Sequence, residues 1–384
     1  MSVELELTVV MPCLNEENSV GICVEKAVTT MERLGIAGEV LIIDNGSTDR
    51  SVAIAKSHGA RVLHHPLKGY GNALRRGFVE AYGRYIIMAD CDDSYDLTDL
   101  ERYVVELRQG AEFVMGNRLK GEIKPGAMKW LHRWIGNPLL SWFLNVLFDS
   151  GVGDSHCGMR GFTKEAVARL NLKMPGMELA SEMVIKSSLA KLKTVEIPIT
   201  LWPDKRGRPP HLRSFRDGWR HLRFMLMCSP GALFVVPGAA LLIIGLASIP
   251  AAMLAGYGDF TRMLGPNFMF TAAMIALAGF QLLLFGLMAK LYSHQIDPVF
   301  RDPLIERFSR RFSVDLGLIF GGALVLAGLI VGLPTLTEWI LDRTVSKPGA
   351  WILSLSLGSI GIETIFASFL VGIFELSSES RRAG

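Results

Sequence analysis

The sequence predicts an α/β domain with a mixed, mostly parallel sheet covered by helices on both faces, followed by a four-helix transmembrane domain. Three observations carry that reading. Residues 1–203 alternate short apolar runs with amphipathic stretches, the pattern of strands and crossover helices in a buried parallel sheet. Half of the 384 residues are hydrophobic, and most of that excess falls after about residue 230. Four stretches there, about 231–255, 267–289, 316–336 and 350–374, carry a single charge between them, Glu363. Each reaches the roughly 20 apolar residues that cross a bilayer.

Taken in order, strands are expected near 6–12, 39–45, 60–65, 84–90, 112–117 and 194–201, and helices near 17–34, 48–58, 71–82, 97–109 and 178–191. Pro12 closes the first strand because it has no N–H to give a ladder. No charged-then-apolar leader precedes the run Leu5–Met11, so this domain is expected to stay in the cytoplasm. Residues 204–228 carry Lys205, Arg206, Arg208, Arg213, Arg216, Arg220 and Arg223 against Asp204 and Asp217. Leu212, Phe215, Trp219, Leu222 and Leu226 recur at helical spacing beside them. That combination describes an amphipathic helix on an anionic membrane surface, or a basic stop before a span.

The spans occupy 229–376, and 377–384 form a tail. Lys290, Arg301, Arg307, Arg310 and Arg311 lie between the second and third spans, and Arg381 and Arg382 in the tail, whereas the first connection has only Arg262. The positive-inside rule then puts both termini in the cytoplasm of a multi-pass inner-membrane protein. Gly317-x-x-x-Gly321 and Gly328-x-x-x-Gly332 allow close helix approach, within the chain or in a homo-oligomer. Glu363 near mid-span either pairs with a structural partner such as Gln281 or handles lipid or sugar.

Composition excludes several classes. Forty basic against 37 acidic residues give a net charge of +3, too mild for a nucleic-acid binder. The five cysteines, Cys13, Cys23, Cys91, Cys157 and Cys228, have no paired spacing, which argues against a zinc site or a disulfide framework and fits a reducing compartment.

The chemistry gathers at strand ends, the edge where open α/β sheets bind ligands. Asp90-Cys91-Asp92 closes the run Tyr85–Ala89, and two acids one residue apart there suit a hard divalent cation that also takes phosphate oxygens. A thiolate from Cys91 is too soft for Mg²⁺. Asn15 and Glu16 follow the first strand, where Asn15 either contacts a nucleotide or caps a helix. Asp44, in Asp44-Asn45-Gly46-Ser47-Thr48-Asp49, can accept from a ribose hydroxyl or a base N–H. Lys68-Gly69-Tyr70-Gly71-Asn72-Ala73 opens a helix, whose amino end attracts phosphate.

The succession Pro12-x-x-Asn15-Glu16, Asp44-x-Gly46-Ser47-x-Asp49, Lys68-Gly69-x-Gly71-x-Ala73 and Asp90-x-Asp92 resembles the family-2 glycosyltransferases of GT-A fold, over roughly residues 6–215. Gly116-Asn117-Arg118, Arg133 with Asn137, and Asp154 to Arg160 resemble one branch, the polyprenyl-phosphate glycosyltransferases such as dolichol-phosphate mannosyltransferase. The resemblance implies donor-nucleotide contacts at Pro12, Leu14, Asn15, Glu16, Ile42, Asp44, Lys68, Gly71, Asp90 and Cys91. It implies Mg²⁺ or Mn²⁺ on Asp90 and Asp92, and the acceptor phosphate on Arg118, Arg133, Asn137, Arg206 and Arg213. Asp92, Arg118 and Arg133 are the expected catalytic residues. Arginine forks suit a phosphate held against another polyanion, although surface ion pairing also explains them. Ser94 departs from the branch by replacing a Gln, which leaves Asp93 or Asp96 as substitute outer ligands. His132 and His156 read as structural.

The expected reaction is inverting transfer of a hexose from a nucleotide-diphosphate sugar, GDP-mannose or UDP-glucose, to a dolichyl or undecaprenyl phosphate. Transfer to a diacylglycerol-type lipid, with Glu178 or Glu182 as base, and a processive polysaccharide synthase are the alternatives. The synthases' Gln-x-x-Arg-Trp is not matched by Trp130-Leu131-His132-Arg133-Trp134.

Overall fold

The computed structural model describes residues 5–205, 207, 214–254, 259–300, 302–343 and 348–383. Arg206, Leu212, Arg213 and Arg301 therefore lie outside the described residues. The chain divides into two units, Met1–Met225 and Leu226–Gly384.

The first unit is built on seven strands: β1 Leu7–Cys13, β2 Gly38–Asp44, β3 Arg61–His64, β4 Tyr85–Met88, β5 Phe113–Asn117, β6 Arg160–Thr163 and β7 Thr194–Pro198. Their order is β3-β2-β1-β4-β6-β5-β7. All pairs are parallel except those of β6, which runs antiparallel to β4 and β5. Sequence analysis did not anticipate β6. Arg160-Gly-Phe-Thr is four residues long and interrupted by glycine, so it has no alternation to read.

The seven helices of the sheet layers are α1 Val20–Arg33, α2 Ser51–Ser57, α3 Tyr70–Glu80, α4 Leu100–Arg108, α5 Asn137–Phe148, α6 Lys164–Leu170 and α7 Leu179–Leu189. Strand period sends Leu7, Val9, Met11 and Cys13 into one core with Val20, Val24 and Ala27 of α1 and Leu100, Tyr103 and Val104 of α4. Val10 and Ile43, of the opposite parity, meet α3, where Gly77 leaves room for them. Apolar side chains fully removed from water at such positions stabilise by about 1.5–3 kcal/mol each.

Helix α5 was also not anticipated. Its apolar residues lie all round: Leu144 and Phe148 are buried, while Leu139, Trp142 and Val146 are exposed. A helix of that composition lacks the polar face that a periodicity argument needs. Helix α8, Ser214–Cys228, begins in the first unit and carries the expected amphipathic pattern.

In the second unit α9 Val236–Leu254, α10 Asp259–Ile296, α12 Val314–Asp342 and α13 Pro348–Ala383 are long and α11 Pro303–Arg311 is short. Among the described residues, four segments are long and apolar enough to cross a membrane: Gly231–Ser248, Phe268–Ile296, Val314–Asp342 and Pro348–Phe374. Gly317, Gly321, Gly328 and Gly332 all face α13. A Cβ on Gly321 would stand 2.7 Å from the Gly361 carbonyl oxygen, and one on Gly328 2.8 Å from that of Ser354. The small-residue spacings thus serve a contact within the chain. Glu363 Oε1 accepts a hydrogen bond from Gln281 Nε2 at 2.8 Å, as the structural reading expected.

Candidate active site

The order of strands reverses at β1: β2 and β3 lie to one side, and the chain then returns to lay β4 on the other. The carboxyl ends of β1 and β4 therefore open a crevice. It holds a cavity of about 550 Å³ lined by Pro12, Cys13, Leu14 and Glu16 after β1, and by Asp90, Cys91 and Asp92 after β4. Lys68, Gly69, Tyr70 and Ala73 at the start of α3, Asn45, Gly176, Met177, and Arg216, Asp217 and Arg220 of α8 complete the wall. Six sequence-predicted donor-nucleotide residues meet there, Pro12, Leu14, Glu16, Lys68, Asp90 and Cys91, together with Asp92, the second expected metal ligand.

The acid pair is held by neighbouring hydroxyl and backbone donors. Asp90 Oδ1 accepts from the Tyr70 hydroxyl at 2.9 Å. Burial, and then the neighbouring Asp90 carboxylate, push the Tyr70 phenol well above its ordinary range, so it remains a donor. Asp92 Oδ1 accepts from Ser94 N at 3.0 Å and from Ser94 Oγ at 2.5 Å. Ser94 thus supports Asp92. The expected substitutes are committed elsewhere: Asp93 pairs with Lys26 and Lys205, each at 2.7 Å, and Asp96 caps the turn at Thr98. Hydrogen bonding to Cys13, reinforced by burial, raises the Cys91 thiol well above its usual pKa, which keeps it from acting as a thiolate ligand. Among the described residues no three His, Cys, Asp or Glu side chains form a ready metal cage. Two carboxylates on a cavity wall still fit a hard cation that completes its shell with substrate oxygens and water.

Other predicted residues stand apart from the cavity. Asn15, at a φ of 58°, bridges two loops by accepting from Thr48 N at 2.8 Å. Ile42 is fully buried in β2, paired in register with Met11. Asp44 is held by its own loop and by β3, accepting from Gly46 N, Ser47 N and, at 2.9 Å, His64 Nδ1. Burial pushes the Asp44 pKa up, but the Ser47 and His64 bonds outweigh it and hold the carboxyl below its usual value. Gly71 is required for packing: a Cβ there would collide with the carbonyl oxygens of Met174 and Gly176.

The arginines divide as well. Arg118 is 8% exposed and forms a two-pronged pair with Asp154, Nε–Oδ2 2.7 Å and Nη2–Oδ1 2.8 Å. It is therefore a buried ion pair whose fork is closed on Asp154. Arg133 lies in the helical turn before α5, its guanidinium 5.1 Å from the Trp134 ring centroid. Asn137 donates weakly to Met128 Sδ at 3.6 Å. Glu182, an expected alternative base, is buried; it accepts from Lys173 N and Met174 N and pairs with Lys186 at 2.9 Å. It holds the segment that meets Gly69 and Gly71.

Sequence reasoning missed Tyr70, the Asp154 pair and the cavity face of α8. It read Arg216 and Arg220 as the basic side of a membrane-surface helix or of a stop before a span. Their four-residue spacing puts them on one helix face, but only the fold shows that this face meets the cavity.

The family model described as glycosyl transferase family 2 matches residues 8–170, and that for the family-2 C-terminal transmembrane region matches residues 287–375. The low-salt glycan biosynthesis hexosyltransferase Agl6 of Haloferax volcanii is 39% identical over 95% of this chain and 88% of its own length. A dolichyl-phosphate hexose transferase of the same organism is 28% identical over 50% of this chain and 82% of its own. Glucosyl-3-phosphoglycerate synthase of Mycobacterium tuberculosis, solved with Mn²⁺, UDP-glucose and phosphoglyceric acid, superposes with a TM-score of 0.44 at 19% identity. It covers 58% of this chain and 78% of that one.

Proposed function

Since the chain belongs to glycosyl transferase family 2, we propose that it transfers a hexose from a nucleotide-diphosphate sugar to a polyprenyl phosphate at the cytoplasmic face of the membrane. The observation that carries this is the cavity between β1 and β4, which brings the acid pair Asp90 and Asp92 together with Lys68 and two arginines. The dolichyl-phosphate relative points to the same acceptor class.

In this reading Pro12, Leu14, Glu16 and Lys68 hold the nucleotide, and Asp90 and Asp92 hold Mg²⁺ or Mn²⁺. Such a cation supplies charge neutralisation of the departing diphosphate. The acceptor oxygen attacks the anomeric carbon from the face opposite the diphosphate; one C–O bond forms, one breaks, and the configuration inverts. A phosphate monoester, with a second pKa of about 6, is already largely anionic at neutral pH, so a strong base is unnecessary. The protein's work is to align the reacting atoms. Arg133 and Asn137, with Arg206 and Arg213, are the acceptor-phosphate candidates. Arg118 acts from a distance, fixing the segment that begins at Asp154.

The aromatic face beside Arg133 supports a lipid acceptor. Trp130, Trp134 and Trp142 are all more than half exposed, a composition suited to the bilayer interface. A neutral-lipid acceptor would need a base; with Glu182 committed, Glu178, whose Oε2 is buried without a partner, is the remaining candidate.

The test uses purified full-length protein with undecaprenyl phosphate, Mg²⁺ or Mn²⁺, and radiolabelled UDP- and GDP-sugars. A chloroform-soluble, mild-acid-labile product from one donor is expected. Label in diacylglycerol or in polymer instead would overturn the acceptor assignment.

A further inference from the structure

Helix α8 has two unlike faces. Phe215 and Trp219 are 85% and 58% exposed. The neighbouring face carries Arg216, Asp217 and Arg220 onto the cavity wall, facing the crevice that Asp90 and Asp92 also line. Asp217 is buried and stands 3.8 Å from the Arg220 guanidinium. That separation is too long for a hydrogen bond, so the contact orients Arg220 without consuming its donors. Lys68, the other cation of the cavity, donates to the Asn45 carbonyl oxygen at 2.9 Å. Arg118, which sequence reasoning placed on a phosphate, is paired with Asp154. Two guanidinium groups four residues apart on one helical face form a clamp for a tetrahedral oxyanion.

We infer that Arg216 and Arg220 form a phosphate subsite of the transfer reaction, placed in the cavity by the helix that also carries the exposed aromatic face. The inference rests on the transfer reading given above. The phosphate has two possible sources, the diphosphate of the donor nucleotide and the phosphomonoester of the lipid. Phosphate binding to a fixed pair of forks predicts a change in apparent affinity. A purely structural α8 predicts a loss of stability or of kcat instead.

The experiment uses full-length protein in lipid nanodiscs, as wild type, Arg216→Ala, Arg220→Ala and Arg220→Lys. One arm measures UDP and GDP binding by calorimetry without acceptor lipid. The other measures initial rates against undecaprenyl phosphate at saturating donor. A tenfold or larger rise in one constant in the alanine variants, with kcat within threefold and partial recovery in Arg220→Lys, is expected. A rise confined to the lipid arm assigns the lipid phosphate; one in the nucleotide arm assigns the donor diphosphate. Constants within twofold of wild type in both arms overturn the subsite, as does a fall in kcat alone. Should wild type make no glycolipid from any donor, the transfer reading fails. The lipid is then not a substrate and only the donor diphosphate is left as a source, so tenfold weaker UDP or GDP binding in the alanine variants supports the subsite and unchanged binding overturns it.

Discussion

Asp92 shows how a weak sequence signal becomes specific at the scale of single residues. An acidic triplet is common in loops, but this one ends a buried strand beside the carboxyl end of β1, and Ser94 fixes one oxygen of Asp92. Asp92→Asn keeps that hydrogen bond's acceptor while removing the charge. It is expected to abolish transfer and to remove the Mg²⁺ or Mn²⁺ dependence of nucleotide-diphosphate binding, measured by calorimetry with and without chelator. Arg118 shows the reverse. Its motif was legible, yet its partner was not, because Asp154 lies 36 residues away. Removing Arg118 strands a buried carboxylate, a cost of about 3–5 kcal/mol. Arg118→Ala should therefore lower the melting temperature markedly, whereas a pure phosphate ligand would raise the KM for lipid and leave melting unchanged. Burial alone would raise the Asp154 pKa, but the Arg118 charge and hydrogen bonds outweigh it and hold the carboxyl below its usual value. The resulting stability is present above the unfolded carboxyl's pKa and is lost as pH falls through the depressed one.

Helices whose faces are mixed were the hardest elements to read. Helices α1, α3 and α4 each have one apolar stripe of period 3.6, as does α8, but the period could not say which surface each face of α8 would meet. His221 makes that placement measurable. Its ring is buried, its Nδ1 lies 2.8 Å from Ser181 Oγ of α7, and it meets the His156 ring edge-on at 4.5 Å. Burial lowers its pKa to about 4. A histidine depressed in the folded state stabilises fully above its unfolded pKa near 6.5, and that contribution disappears as pH falls toward 4. About two and a half units correspond to roughly 3 kcal/mol. The melting temperature should fall between pH 6.5 and 4, and more shallowly in His221→Gln; equal slopes would exclude His221 as the source. Helix α5 and the helical turn before it allow a second test on the exposed aromatic face. Replacing Trp130, Trp134 and Trp142 by serine should raise the KM for long-chain polyprenyl phosphate in vesicles and leave that for a short, water-soluble analogue within twofold.

For the whole molecule, the division into a sheet domain and a helical membrane unit was legible because the two halves differ in a bulk property, hydrophobicity, which needs no long-range contact to read. The sheet order was not legible: pairing β6 against β4 and β5 joins segments more than 40 residues apart and leaves no local trace. Glycine spacing in α12 revealed a close helix contact, but only the packed structure assigns it to α13. Orientation rests on charge. The α10–α12 connection is basic, and α11 within it is a strongly amphipathic helix begun by the Asp302 cap, so the connection is expected on the cytoplasmic side, and the segment after α12 on the other. A single cysteine at each place tests this in a Cys228→Ser background, since Cys13, Cys23, Cys91 and Cys157 are buried. In intact cells an impermeant maleimide should label Asp342→Cys, whereas Arg307→Cys should react only after permeabilisation. The opposite pattern would place the basic connection outside and carry the catalytic cavity away from cytoplasmic nucleotide sugars.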